Sequence, residues 1–353
     1  MNPNECTEKK GGQSMMRITD FGTTSKGEAI QLYTLTNKNG MEIAVTDLGA
    51  TLVSVVVNGT DVVLGYDDAT GYEADDLFLG TIVGRHANRI GGASFELNGV
   101  EYKLVANSGP NSLHSGPDFY NMRKWGVKEA EGQKVTFTLE SPHMDQGFPG
   151  NLHIEVSYEL TEENEVRITY HAVPDADTIV NLTNHSYFNL NGHDTGLVLE
   201  QEVWIDADEF TRTDANSVPT GEILSVEGTP MDFRQKKVVG RDIEEDYEAL
   251  ILGKGYDHNW ILKNNGQLAK VAEMTGNQTG ITMEVYTDLP GVQLYTGNYI
   301  VDPKGKGGAV YGERHGLCFE TQMYPDAIHH EHFPSPIVRK GEAFDSVTIY
   351  KFK

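Results

Sequence analysis

Five segments place polar and ionisable side chains where strand interiors should be apolar, and an unpartnered buried polar group costs about 1–3 kcal/mol. They are residues 84–90 (GRHANRI), 112–116 (SLHSG), 181–190 (NLTNHSYFNL), 256–260 (YDHNW) and 316–322 (GLCFETQ). Together they offer His114, His185, Glu320, Asp257, Asn88, Arg85 and Arg89, beside Tyr187 and Trp260. An imidazole exchanges protons near neutrality, and a carboxyl does so once its surroundings raise its pKa. Amide, carboxylate and guanidinium groups give directional hydrogen bonds. Taken singly, each residue reads as structural: a histidine satisfied by Asn and Ser, a glutamate paired with arginine. Taken together, they suit a site that handles a neutral polyol by general acid–base chemistry. If 316–322 is a strand, Cys318, Glu320 and Gln322 share one face, and Leu317, Phe319 and Thr321 the other.

The elements that must position these groups are strands. Leu152, Ile154, Val156, Tyr158 and Leu160 alternate with polar residues, which marks a half-buried strand. Val135, Phe137 and Leu139 precede it with the same period, and Val166, Ile168 and Tyr170 follow after a polar turn at 161–165. Asn98-Gly99 between Phe95, Leu97 and Val100, Tyr102 is a hairpin signal, because both turn residues tolerate positive φ. Ile281, Met283 and Val285 read as one strand of a pair whose partner, Val292 and Leu294, follows Leu289-Pro290-Gly291. Val347, Ile349 and Tyr350 read as a last strand. Helical periodicity is scarce; residues 242–252 suit at most one short helix. Hairpins without intervening helices imply an all-β fold of antiparallel sheets, a large β-sandwich with few short helices. Residues 1–17 read as a flexible N-terminal tail and 18–353 as a single domain.

Composition narrows the classes. The chain has 353 residues, 38% of them apolar, enough for a large core. Lys and Arg number 28 against 52 Asp and Glu, a net charge of −24 that repels phosphates and argues against nucleic acid and anionic membrane as partners. Two cysteines, Cys6 and Cys318, cannot form a disulfide framework. With no apolar run long enough to span a bilayer and no signal-like N-terminus, a cytoplasmic location is expected.

With these motifs in this order, and with PGVQLYTGN and FETQMYPDA beside them, the chain resembles the aldose 1-epimerases (galactose mutarotases) from about Ile18 to Lys353. The resemblance implies the family's galactose mutarotase-like β-sandwich and an isomerase that interconverts the α and β anomers of free aldohexoses such as glucose and galactose, without cofactor or metal. It puts the general base on Glu320, the general acid on His185 and a second active-site histidine on His114. It puts sugar-holding residues on Asn88, Arg89, Asp257 and Gln293, with Ser186 and Tyr187 lining the site and Arg85 in the same motif. Two positions depart from the family's pattern. Ser115 stands where a glycine is common, adding a hydroxyl or narrowing the turn, and His86 stands where a valine is common. A non-catalytic sugar-binding module on the same scaffold is the alternative reading. Monomer and homodimer both fit.

Ring opening requires the C1 hydroxyl to lose a proton and the ring oxygen to gain one, so one base and one acid suffice. A glutamate near its reference pKa of ~4.3 is a weak base; desolvation beside Phe319 and Tyr324 is expected to raise it. The protein's negative charge is expected to favour an imidazolium at residue 185. The 329–332 run, HHEH, has metal-binding residue types, but its spacing matches no standard metal motif, and Pro334 and Pro336 mark it as a solvated loop.

Overall fold

The computed structural model describes residues 14–301 and 303–353. Cys6 and most of the expected tail lie outside the described residues. The first strand, Met15–Thr23, begins inside the segment expected as tail; Met15, Met16 and Arg17 pair with Thr36, Leu35 and Thr34.

Three antiparallel sheets dominate. A nine-stranded sheet runs in the order Gly126–Glu131, Lys134–Ser141, Leu152–Leu160, Glu165–Pro174, Phe344–Phe352, Thr282–Thr287, Ala269–Thr275, Glu202–Ile205, Lys237–Val238. A five-stranded sheet is built from consecutive N-terminal strands, Met15–Thr23 to Thr60–Asp61. A second five-stranded sheet, here called the site sheet, runs Pro219–Ser225, Glu209–Thr213, Asp257–Ile261, Gly291–Tyr295, Cys318–Gln322. Among the described residues the only α-helices are Ala69–Glu73 and Glu248–Gly253.

The alternation in sequence becomes alternation in burial. In Leu152–Leu160 every second side chain is buried, and its neighbour Glu165–Pro174 repeats the pattern. Asn98 (φ 54°) and Gly99 (φ 77°) turn the hairpin between Ser94–Leu97 and Val100–Lys103 as expected. One expected pair is not a pair. Thr282–Thr287 lies in the nine-stranded sheet, whereas Gly291–Tyr295 crosses to the site sheet. Pro290 has no N–H to give a hairpin ladder, and its carbonyl instead accepts from Leu262 N–H in the site sheet's connection.

One apolar core joins all three sheets: Leu35, Ile43 and Leu52 from the N-terminal sheet, Val156, Ile168 and Tyr350 from the nine-stranded sheet, and Trp260, Val292 and Phe319 from the site sheet. Polar threads cross it. Tyr158 Oη donates to the Ala50 carbonyl at 2.7 Å and accepts from Asn184 Nδ2 at 3.3 Å. Tyr350 Oη donates to the Phe319 carbonyl at 3.1 Å. The first thread ends one residue before His185. Tyr158→Phe removes it and leaves a buried carbonyl and an amide with fewer partners, so the unfolding free energy should fall by about 1–3 kcal/mol in urea titration; an unchanged midpoint would contradict this role.

Candidate active site

The last three strands of the site sheet, Asp257–Ile261, Gly291–Tyr295 and the edge strand Cys318–Gln322, present one polar face. Cross-strand partners are Asn259, Gln293 and Glu320 in one row, and Asp257, Tyr295 and Cys318 in the next. Period-two alternation sends Trp260, Leu294, Phe319 and Thr321 the other way, into the core. His258 also points away, packed edge-on against Phe210 and Trp260. An amide relay steadies the face. Gln322 Nε2 donates to Asn259 Oδ1 and Gln293 Oε1, and Gln293 Nε2 donates to Asp257 Oδ1 at 2.8 Å.

The two histidines arrive on loops. His185 follows the two-residue strand Thr183–Asn184, which pairs with Ile82–Val83. His114 sits at φ 54° after Ser112–Leu113, which pairs with Arg89–Ile90. The GRHANRI and LHSG segments are laced together. His114 N–H donates to the Asn88 carbonyl, and Asn88 N–H donates to His114 Nδ1 at 3.1 Å. Ser115 Oγ accepts from His86 N–H at 2.8 Å and donates to the His86 carbonyl at 2.9 Å. The two departures from the family pattern therefore touch: the extra hydroxyl of Ser115 clamps the backbone of His86.

These elements enclose a cavity of about 240 Å³ lined by Asn88, Arg89, His114, His185, Tyr187, Asp257 and Glu320, together with Asp76, Leu77, Phe78, Leu113, Tyr295 and Tyr299. His185 Nε2 is 3.6 Å from Glu320 Oε2, with both side chains buried. His185 Nδ1 faces Cys318 Sγ at 3.5 Å. Tyr187 stacks on His185, ring centroids 5.1 Å apart, and Phe78 lies 4.9 Å from the His114 ring. Glu320 Oε2 and Arg89 Nε are buried without a hydrogen-bond partner among the described residues.

Burial dominates the electrostatics. It pushes the Glu320 carboxyl up to about 8; the Asp257 charge adds to the rise and Arg89 opposes it. This is the direction expected from sequence. Burial also drives His185 down to about 4, outweighing the nearby Asp257 charge, so the expected resting imidazolium is replaced by a neutral ring. His114 is held well below the usual histidine range by burial, then by His185 and Arg89. Because Asn88 N–H takes the Nδ1 lone pair, neutral His114 carries its proton on Nε2.

That tautomer bears on metal chemistry. Ligand atoms of His114, His185 and Glu320 lie within 4.8 Å of one another. A metal ion needs a bare imidazole nitrogen; on His114 the bare nitrogen is spent on Asn88 N–H, and the other carries the proton. The three groups suit proton transfer better than ligation. In the HHEH run, His329 Nδ1 pairs with Asp326 at 2.6 Å, while His330 and His332 meet the Pro219 and Gly221 carbonyls. His329, Glu331 and His332 are exposed, as a loop should be.

Three residues expected in the site stand outside the cavity lining. Arg85 does not reach the cavity; its buried guanidinium donates to the carbonyls of Ser141, Pro142, Pro149 and Gly150 and to the hydroxyls of Ser141 and Thr178. Ser186 Oγ donates to Asn184 Oδ1 at 2.6 Å and does not line the cavity. Gln293 stands behind Asp257 rather than in the lining. Of the lining residues not expected, Tyr295 could have been found, since it shares a strand face with Gln293. Asp76, Leu77 and Phe78 carry no periodic signal.

A carboxyl and an imidazole buried side by side in one cavity, on a large antiparallel β-sandwich, fit the class of the mutarotase-like isomerases. A profile of the aldose 1-epimerase family matches residues 31–351. The galactose mutarotase of Bos taurus is 39% identical over 318 residues, spanning 88% of this chain and 91% of its own. The aldose 1-epimerase of Escherichia coli K12 is 36% identical, spanning 92% of this chain and 96% of its own. Among solved structures, galactose 1-epimerase from Lactobacillus acidophilus NCFM superposes with a TM-score of 0.86 at 28% identity, covering 97% of this chain and 99% of its own. The chain belongs to the aldose 1-epimerase family.

The structural role of Arg85 is testable. Lysine cannot reproduce a planar fork of five donors, so Arg85→Lys should lower the unfolding free energy by at least ~2 kcal/mol while the folded variant binds sugar as the wild type does. Weakened sugar binding at unchanged stability would return Arg85 to the site.

Proposed function

We propose that this protein interconverts the α and β anomers of a free aldohexose such as galactose or glucose, with Glu320 as the base at O1, His185 as the acid at O5 and His114 as a second donor to O5. The observation that carries the reading is the 3.6 Å approach of His185 Nε2 and Glu320 Oε2 in one cavity. Between about pH 4 and 8 this pair holds one exchangeable proton. The neutral pair at rest and the carboxylate–imidazolium pair needed for reaction differ only in where that proton sits.

In the forward step the Glu320 carboxylate takes the O1 proton while the imidazolium of His185 gives one to O5. The C1–O5 bond breaks and C1 becomes a carbonyl. Rotation about C1–C2 presents the other carbonyl face. Closure returns the O5 proton to His185 and the Glu320 proton to O1, leaving the enzyme as it began. No electron or group is transferred, so the steps need neither cofactor nor metal. The Nε2–H of His114 suits the charge that builds on O5. Asn88, Arg89 and Asp257 hold hydroxyls, Gln293 orients Asp257, and the rings of Tyr187, Phe78 and Tyr295 cover the apolar sugar face. A cytoplasmic monomer or homodimer goes with this reading; the net charge of −24 supports a small neutral sugar rather than nucleic acid or membrane as partner.

Polarimetry of freshly dissolved α-D-galactose and α-D-glucose tests it. Wild-type protein should accelerate mutarotation, and Glu320→Gln and His185→Asn should each lower kcat by about 10²–10⁴-fold. A wild-type rate equal to buffer would end the reading; a fully active Gln variant would remove Glu320 as the base. The pH profile follows from the same proton. Above about pH 8 the free pair loses it and has no acid to offer, so kcat/KM should fall on the alkaline side through that value. A profile flat to pH 10 would contradict the assignment.

A further inference from the structure

We infer that Asp75 is a positioning residue, whose carboxylate pins the segment 76–79 so that Phe78 closes over His114 and His185. The inference rests on the proposed reaction for its kinetic consequence, but its geometry is independent of it.

Phe78 adopts φ 61°, a left-handed conformation that bulky residues avoid. Nothing in its own type favours this, so the surroundings must impose it. The N–H groups on either side of it end on one carboxylate. Leu77 N–H donates to Asp75 Oδ1 at 3.0 Å, and Leu79 N–H donates to Asp75 Oδ2 at 2.7 Å. Tyr66 Oη adds a third donor, to Oδ1 at 3.1 Å. Asp75 is 2% exposed, so these bonds are not shared with water in any large measure.

The pinned segment is tied to the acid–base residues at several points. Tyr187 Oη donates to the Leu77 carbonyl at 2.9 Å while its ring stacks on His185. Gly80 N–H donates to the His185 carbonyl, and His185 N–H donates to the Thr81 carbonyl. The Phe78 ring centroid lies 4.9 Å from that of His114 and 6.0 Å from that of His185, backed by Phe119 at 5.0 Å. Asp76, Leu77 and Phe78 all line the cavity. Phe78 therefore forms part of the cover that keeps water from both imidazoles, the condition that holds their pKa values down.

The carboxylate is also the weak point of the device. Tyr66, Tyr72 and Tyr187 face it as neutral phenols, Asp76 faces it as a like charge, and Leu77 and Leu79 offer backbone donors. Burial, opposed by the three donors and reinforced by Asp76, pulls Asp75 up to about 6. Below that value it gains a proton, becomes a poorer acceptor and puts an O–H where an N–H donor points. Activity should thus decline on the acid side near pH 6, above the value at which His185 itself would titrate.

The test compares wild type, Asp75→Asn and Tyr66→Phe by mutarotation kinetics across pH and by proton NMR of the histidine Cε1–H resonances without sugar. Asp75→Asn keeps the shape but offers an NH₂ to one of the donors. It should lower kcat/KM by ~10-fold or more, the equivalent of one lost charge-assisted bond. It should also shift the His114 and His185 resonances as the Phe78 ring moves, and abolish the limb near pH 6. Tyr66→Phe removes only a donor that favours the ionised carboxylate, so it should keep the fold and move the acid limb to higher pH. Unshifted resonances in Asp75→Asn, or an unmoved acid limb in Tyr66→Phe, would overturn the inference. A fall in kcat/KM with unshifted resonances would mark Asp75 as structural only, which also overturns it. A wild-type protein without mutarotase activity would sink the proposed reaction instead, and the sugar-free resonances would still decide the role of Asp75.

Discussion

Everything in this site depends on burying a carboxyl group and an imidazole side by side. In water, at neutral pH, the glutamate would be ionised. In the cavity the cost of desolvating charge is larger than the pull of the neighbouring groups, so both partners are driven toward neutrality: Glu320 rises to about 8 and His185 falls to about 4. The result is a pair that keeps a single mobile proton across the physiological range. Neither Asp257 nor Arg89 reverses this; they bias Glu320 in opposite directions, and both line the cavity. A reaction that removes one proton and adds another to the same molecule suits such a pair, because net charge in the cavity does not change during the cycle.

The fold meets that constraint with two different kinds of support. Glu320 stands on a strand in the middle of packed structure: its neighbours Phe319 and Thr321 are locked in the core, and its own face is levelled by the Gln322–Gln293–Asp257 amide relay. The histidines stand on loops that cannot rely on a ladder. They are held by hydrogen bonds between distant segments, such as Asn88 N–H to the His114 ring, Gly80 N–H to the His185 carbonyl and the Ser115 hydroxyl clamp on the His86 backbone. Arg85 belongs to this support: with every carbonyl it holds drawn from residues 141–150, it ties the GRHANRI loop to the nine-stranded sheet.

Much of the fold was legible because half-buried strands declare themselves by period two, as Leu152–Leu160 and Glu165–Pro174 do. The face shared by Cys318, Glu320 and Gln322 followed from the same rule. What the sequence could not reveal has physical causes. Two-residue strands such as Ile82–Val83 and Thr183–Asn184 have no period to detect, yet they carry the approach to His185. The turn after Thr287 switches sheets because of where Pro290 finds its partner, a long-range matter. An arginine in a motif gives no sign of whether it will face a sugar or a set of carbonyls, and Arg85 took the carbonyls. The charge expected on His185 counted the negative charge around it; the local loss of water outweighs it. Phe78 was invisible because its placement depends on Asp75, Tyr66 and Tyr187 acting together.

In the proposed reaction the carboxyl of Glu320 and the imidazole of His185 address two oxygens of one sugar ring. A crystal structure with galactose or glucose bound measures this directly. A Glu320 carboxyl oxygen should lie within hydrogen-bond distance of O1, and His185 Nε2 within the same reach of O5. A sugar bound in this cavity with either side chain turned away from those oxygens, or a sugar bound elsewhere on the protein, would contradict it.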